Sequence, residues 1–150
     1  NAALLDIILA LTHINSSLRI RGCDSLKQLG GLTSIQRIDG SLEISSNDQL
    51  PDLTGLESLK IVGSSLSIYG NDTLESLDGL DSVDDIGRDL SIEANDELDD
   101  VSALHTVTSV GRHFTVKKNP KLAKSDAEAL RDTIGTSNIG GTVTIKDNKP

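Results

Sequence analysis

From residue 18 to residue 122 the sequence repeats every 24 residues without a slip, and this period constrains the fold more than any other feature. Leu18, Leu42, Leu66, Leu90 and Phe114 mark the repeat, and each is followed two residues later by Ile or Val. The rest of each unit keeps the same spacing, with the consensus LxIxxNxxLxxLxGLxxIxxIGxx. A fixed period of this length is typical of solenoids, in which each repeat forms one coil and stacked coils bury a continuous core.

The spacing inside a unit predicts one short strand per coil. The LxI pair has the period of two expected of a strand with its apolar face inward. Apolar residues then recur every three positions, as in Leu74, Leu77 and Leu80. On an α-helix such a series would spread over most of the circumference, whereas it suits 3₁₀ turns or extended segments around a narrow core.

We therefore predict a single domain that is a repeat solenoid with a parallel β-sheet. Its full repeats are 18–41, 42–65, 66–89, 90–113 and 114–142, and the partial or capping segments are 1–17 and 143–150.

One polar column occupies the turn that leaves each strand. An asparagine amide both donates and accepts hydrogen bonds, so it can bond the backbone at the turn and its counterpart in the next coil, about 4.8 Å away. We therefore predict a buried asparagine ladder with a cysteine at its start. The members of this ladder are Cys23, Asn47, Asn71, Asn95, Asn119 and Asn148.

These units resemble leucine-rich repeats, whose strand signature also carries Asn or Cys at one fixed place, as at Cys23 and Asn47. The NxxL spacing from Asn47 to Leu50, followed by LxGLxxI, resembles more closely the receptor L-domain of insulin-receptor-like and of fungal and bacterial surface proteins. The resemblance is strong over residues 18–122 and weaker towards both ends. It implies a right-handed, single-stranded solenoid in a secreted or cell-surface protein.

The C-terminal end departs from the 24-residue period. The strand signature returns at Val143, five residues later than the period from Phe114 requires. Within the longer segment, Ser125 and Glu128 have the spacing of a capping box, and Gly135 is placed to end a helix. We therefore predict one short C-terminal helix in place of the outer turn of the last coil.

The N-terminal segment leaves two interpretations open. Leu5, Ile8, Leu11 and Ile14 keep the three-residue spacing of the back half of a preceding coil, but the Ala- and Leu-rich composition suits a capping helix equally well. The strand beginning at Leu18 would otherwise have an uncovered edge. We therefore expect residues 1–14 or another chain to cover it, with edge-to-edge association as a possible result.

Composition argues against several classes of function. The net charge of −9 argues against nucleic acid as a partner, because phosphate binding depends on clustered Lys and Arg. No apolar run approaches the length needed for membrane insertion. The lone Cys23 allows no internal disulfide, and we predict neither a cofactor nor a metal. We interpret the acidic segment 78–100 as a solvated edge, with calcium binding left as the alternative.

The outward positions of the strands form the best candidate surface, which we call the strand face. One column of this face is Arg19, Glu43, Ser67, Ser91, Thr115 and Thr144, and the other is Arg21, Ser45, Tyr69, Glu93, Lys117 and Lys146. The aromatic ring of Tyr69 is of a type enriched in binding hot spots. The predicted ligand-binding residues are Tyr69, Ser45, Ser67, Ser91, Glu43, Glu93 and Lys117. A structural interpretation is also open, in which Arg19 with Glu43 and Glu93 with Lys117 are simply cross-strand charge pairs.

The leading functional hypothesis is a non-enzymatic recognition domain that binds a protein or a glycan through the strand face. A structural spacer without its own ligand is the main alternative. A β-solenoid enzyme acting on polysaccharide is disfavoured, because Glu43 and Glu93 are the only acids on the face and lie two coils apart. The three histidines have no metal-ligand spacing, and no nucleophile is paired with a base.

Overall fold

The computed structural model describes residues 11–150, which form a parallel β-solenoid of stacked coils. In chain order the strands are β1 (His13–Ile14), β2 (Leu18–Arg21), β3 (Arg37–Ile38), β4 (Leu42–Ser45), β5 (Ile61–Val62), β6 (Leu66–Tyr69), β7 (Asp85–Ile86), β8 (Leu90–Glu93), β9 (Ser109–Val110), β10 (Phe114–Lys117) and β11 (Val143–Lys146). The four-residue strands form a six-stranded sheet in the order β11-β10-β8-β6-β4-β2. Leu18 pairs with Leu42 and Leu42 with Leu66, so each column of the sequence is a column of the stack.

Each coil from the first to the fourth also contributes a second strand, of two residues. Together with β1, which precedes the first coil, these four strands form a five-stranded parallel sheet in the order β1-β3-β5-β7-β9. The prediction of one strand per coil was therefore wrong. A two-residue strand such as Ile61–Val62 buries only one side chain deeply, so it shows no alternation that sequence analysis could detect.

Hydrogen bonds of the 3₁₀ type occur at several turns of the segment in which apolar residues recur every three positions, which confirms the 3₁₀ interpretation of the spacing for those turns. The amide of Leu50 donates to the carbonyl of Asn47 at 3.1 Å, and that of Leu59 to the carbonyl of Leu56 at 2.9 Å. The leucines of these turns point inward, and Leu50, Leu56 and Leu59 are 0 % exposed. Regular 3₁₀ helix is found at Ser102–Thr106 and Thr136–Asn138.

The residue that follows each four-residue strand has a left-handed backbone. The residues at this position, with their φ angles, are Gly22 (62°), Ser46 (53°), Gly70 (60°), Ala94 (51°), Lys118 (57°) and Asp147 (57°). The bend turns the chain out of the strand and places the next residue in the asparagine column. Because this conformation costs a residue with a Cβ about 1 to 2 kcal/mol, most coils accept local strain here. The mixed residue types at this position gave no sequence signal.

The predicted C-terminal helix is present as Lys124–Ile134, and it ends at Gly135 as expected. Its side chains at Ala127, Leu130 and Ile134 are buried against the end of the coil stack. The stack therefore has a packed cap at this end.

The capping-box prediction was wrong. The residue at the N-cap position is Ala123, which makes no side-chain capping bond, and Ser125 Oγ bonds to the carboxylate of Asp126. The helix begins earlier than predicted, at Lys124, whose amide donates to the carbonyl of Lys149 at 2.8 Å. Ser125 therefore already lies inside the first helical turn.

At the other end, β1 pairs with β3 and extends the second sheet by the back half of one more coil. Leu11 and Ile14 belong to this part of the chain, whereas Leu5 and Ile8 lie outside the described residues. A cavity of about 380 Å³ opens beside the first coil. Its apolar lining includes Leu18, Ile20, Leu26, Leu29 and Leu32. Among residues 11–150, no helix has the length and apolar character to span a membrane.

Candidate ligand-binding face

The asparagine column fixes the ends of the strands that carry the strand face. Asn71 Nδ2 donates to the Ile44 carbonyl and to Asn95 Oδ1, both at 3.1 Å. Asn71 Oδ1 accepts the backbone N–H of Asn47 at 3.1 Å. The residue is 0 % exposed, so every one of these bonds replaces a bond to water. Asn47, Asn95 and Asn119 repeat the arrangement.

The two ends of this column differ from its middle. Cys23 is exposed, and its backbone N–H donates to Asn47 Oδ1 at 3.2 Å. Its thiol lies 3.5 Å from the Arg21 carbonyl and supplies no amide to the ladder. Asn148 closes the column, since its Oδ1 accepts the N–H of Asn119 at 3.1 Å and its Nδ2 donates to the Val116 carbonyl at 3.0 Å.

A second polar column lies just before the four-residue strands, and sequence analysis missed it. Its members are Ser17, Ser41, Ser65, Asp89, His113 and Thr142. Ser17 Oγ accepts the N–H of Ser41 at 3.0 Å, and Asp89 Oδ1 accepts the N–H of His113 at 3.2 Å. Side-chain hydrogen bonds therefore hold the four-residue strands at both ends. Matching serines at a 24-residue spacing could have revealed the first half of this column.

Burial raises the pKa of Asp89, but hydrogen bonds from the His113 amide and the Ser65 hydroxyl outweigh that effect and lower it. This carboxylate is therefore kept charged where it serves as a fixed acceptor within the stack.

Three side chains of the strand face converge on Glu43. Arg19 Nε lies 3.2 Å from Oε2, the Ser45 hydroxyl donates to Oε1 at 3.3 Å, and the Tyr69 hydroxyl donates to Oε1 at 3.1 Å. Ser45 is 2 % exposed, so a partner cannot reach it, contrary to expectation. It lies between Glu43, which it bonds, and Tyr69, its register neighbour.

A second cluster on the strand face surrounds Glu93. The Ser91 hydroxyl donates to Oε1 at 2.7 Å, and Lys117 Nζ lies 3.0 Å from Oε2. Burial raises the pKa of Glu93, but the bonds from Ser91 and Lys117 more than offset it, and the net effect lowers the pKa. The pairs Arg19 with Glu43 and Glu93 with Lys117 are thus real cross-strand contacts. The charges of these four side chains are therefore largely compensated within the face.

The side chains that a ligand can still contact are not those that surround Glu43 and Glu93. Tyr69 is 40 % exposed, and its ring is the largest apolar group at the centre of the strand face. Within residues 11–150, the side chains of Arg21, Ser67 and Lys146 have no hydrogen-bond or ion-pair partner. Arg21 and Lys146 were not among the predicted ligand-binding residues, although both belong to the outward columns.

Several carboxylates of the acidic segment 78–100 accept hydrogen bonds from the protein's own backbone. Asp81 Oδ2 accepts the N–H of Gly79 at 2.9 Å, and Asp100 Oδ1 accepts that of Ser102 at 2.7 Å. In the part of the chain that the structure describes, no group of three or more His, Cys, Asp or Glu side chains is arranged to hold a metal ion.

Comparison with known proteins gave one match. The model of the family described as Receptor L domain matches residues 12–135, a span that contains the first four coils and most of the fifth. No curated protein and no solved structure matched the chain.

Proposed function

This chain belongs to the receptor L domain family, and on that premise we propose that it is the non-enzymatic recognition domain of a secreted or cell-surface protein. Receptor L domains are ligand-binding domains found in the extracellular parts of receptors. In this chain the ligand is a protein, and it binds through the strand face around Tyr69.

The observation that carries this proposal is an exposed aromatic ring on a face whose backbone is fixed at both ends of each strand. Tyr69 is 40 % exposed, while Asn71, two residues away, is 0 % exposed and bonded into the ladder. A partner that meets such a face loses little freedom in ordering it. Tyrosine in this setting combines a large contact area with few rotatable bonds, as in many hot spots.

Site-specific crosslinking tests the proposed surface. A photoreactive amino acid replaces Ser67 on the strand face in one variant and Lys60, an exposed residue away from that face, in another. Each variant is exposed to surface and secreted proteins from the cells that produce it. We expect a discrete crosslinked protein from the Ser67 position and none from the Lys60 position.

Tyr69→Ala should weaken capture at Ser67 at least fivefold, because loss of a hot spot costs over about 1 kcal/mol. Tyr69→Phe is the matched control, since it keeps the ring and removes only the hydroxyl bonded to Glu43. Equal crosslinking from both positions, or none from either, would contradict the proposal and favour a structural spacer.

A further inference from the structure

The strand face has the opposite charge balance from the rest of the chain. It carries four cationic side chains, Arg19, Arg21, Lys117 and Lys146, and two carboxylates, whereas the whole chain has a net charge of −9. The two carboxylates are each paired with a cation of the same face, at 3.2 Å to Arg19 and 3.0 Å to Lys117. The charges of Arg21 and Lys146 therefore remain uncompensated on this face.

These two cations lie in one row that crosses every strand of the six-stranded sheet. The strand register aligns Arg21, Ser45, Tyr69, Glu93, Lys117 and Lys146 in that order. Five strand-to-strand steps of about 4.8 Å separate the end members, so their backbones are roughly 24 Å apart. The exposed ring of Tyr69 stands between them, two steps from Arg21.

We infer that the strand face binds an extended acidic segment of a partner protein, with one carboxylate at Arg21, a second at Lys146 and uncharged residues over Tyr69. This inference rests on the proposed function and names the chemistry of its ligand. An extended chain advances about 3.4 Å per residue and points alternate side chains to opposite sides. Two carboxylates that both meet the face therefore lie an even number of residues apart, and a separation of about eight residues spans the row.

The distribution of charge favours a peptide over a sulfated or uronic-acid glycan. A polyanionic glycan carries charges at short, regular intervals along its whole length. Such a chain would place negative groups over Glu93 in the middle of the row, where the neighbouring cation Lys117 is already paired with that carboxylate at 3.0 Å. A peptide can instead carry carboxylates at its two ends and none over the middle of the row.

Two synthetic nonapeptides of identical composition test the spacing. One has Glu at positions 1 and 9 and the other at positions 4 and 6, so that in each peptide both carboxylates lie on one side of the extended chain, with Ser, Thr and Gly elsewhere and blocked termini. Binding to the ¹⁵N-labelled domain is followed by NMR titration at low salt. We expect the end-acid peptide to bind roughly threefold tighter, as two exposed ion pairs allow, and to shift the amides of Arg21, Tyr69 and Lys146.

The double variant Arg21→Gln with Lys146→Gln should abolish this preference. Its matched control, Lys27→Gln with Lys60→Gln, removes the same charge from exposed positions outside the face and should retain it. A heparin hexasaccharide that binds the row as tightly as the end-acid peptide would overturn the choice of a protein ligand.

Equal affinity for both peptides, shifts away from the row, or no binding of either would also overturn the inference. Arg21 and Lys146 would then serve only to discourage pairing at the two outer strands. The crosslinking experiment separates this failure from failure of the proposed function. If a protein is captured at Ser67 but the domain binds both peptides equally, the proposed spacing of the two carboxylates is wrong. The proposal that the strand face binds a protein then still stands.

Discussion

The first coil (18–41) and the third coil (66–89) follow the same 24-residue template but differ in burial. Leu74 and Leu80 of the third coil are 0 % exposed, whereas their counterparts Leu26 and Leu32 in the first coil are only partly buried. The ladder residue is the exposed Cys23 in one coil and a fully buried asparagine in the other. In a solenoid, burial thus depends on a coil's neighbours as well as on its own sequence.

This difference also divides the strand face. Tyr69 comes from the third coil and is supported by complete coils on both sides, whereas Arg21 comes from the first coil, at the outer strand of the six-stranded sheet. We therefore expect a rigid centre and a less supported edge. Association through that edge stays a prediction.

Loss of a ladder asparagine in the third coil should produce the largest effect. Asn71→Ala leaves the Ile44 carbonyl and the Asn47 amide without these partners in a buried site. Since an unsatisfied buried polar group costs about 1 to 3 kcal/mol, we expect a loss of about 3 kcal/mol or more in the free energy of unfolding, measured in urea. Asp72→Ala, at the exposed neighbouring residue, should cost less than about 0.5 kcal/mol. Equal losses from the two variants would refute the structural importance of the ladder.

A Cβ at the left-handed position should lower the free energy of unfolding by the same amount in the first and third coils, because the backbone strain it causes is local. Gly22 and Gly70 have φ angles of 62° and 60°, and an added Cβ would meet no close neighbour at either site. Gly22→Ala and Gly70→Ala should each destabilise the fold by about 1 kcal/mol in thermal unfolding. Ala94→Gly, at the same position of the fourth coil, should instead stabilise the fold. A cost at Gly70 several times that at Gly22 would show that the bend depends on its neighbours.

The exposed ladder position should tolerate substitution. Cys23→Ala keeps the backbone N–H that donates to Asn47 Oδ1 and removes only an exposed thiol. We expect less than about 0.5 kcal/mol of destabilisation, far below the effect of Asn71→Ala in the same urea titration. A loss comparable to that of Asn71→Ala would mean that the first coil is as tightly integrated as the third.

The smallest effect should be the pH dependence that Glu93 contributes. Because its pKa is lowered in the folded state from the ordinary value of about 4.5, its charged form stabilises the fold above that value. That contribution is lost as the pH falls through the folded pKa. The parent protein should therefore lose slightly more stability between pH 6 and pH 3 than Glu93→Gln does. Parallel stability curves would show that the bonds from Ser91 and Lys117 contribute nothing measurable.

The sequence predicted the parts of the fold that depend on identical side chains in every coil. The inward columns, the four-residue strands and the parallel stacking follow from apolar periodicity, and Gly135 marks the end of the helix by its residue type. The asparagine column was recognisable because its amide can bond both the backbone and the next coil.

The parts that could not be predicted depend on backbone geometry or on mixed residue types. The left-handed position accepts Ser46, Ala94 and Lys118 as well as glycine, so the residues do not reveal it. The polar column before the strands changes from serine to Asp89 and then to His113, although Ser41, Asp89 and His113 each accept the backbone N–H of the next member.

For the candidate site, the sequence identified the outward columns but not the contacts among their members. It could not show that Ser45 is covered, because that burial depends on where Glu43 and Tyr69 place their side chains. Nor could it show which cations remain uncompensated, since Arg19 and Arg21 occupy equivalent outward positions and only Arg19 reaches a carboxylate.

Amide hydrogen exchange in the free protein most directly tests whether the middle coils form a fixed binding platform. The amides of Leu26 and Leu74 make the same bond to the ladder residue three positions earlier, at 2.9 Å and 3.2 Å, so they form a matched pair. We predict that Leu74 exchanges only through global unfolding and that Leu26 exchanges at least tenfold faster. Equal protection of the two amides, or faster exchange at Leu74, would contradict a rigid centre beneath Tyr69.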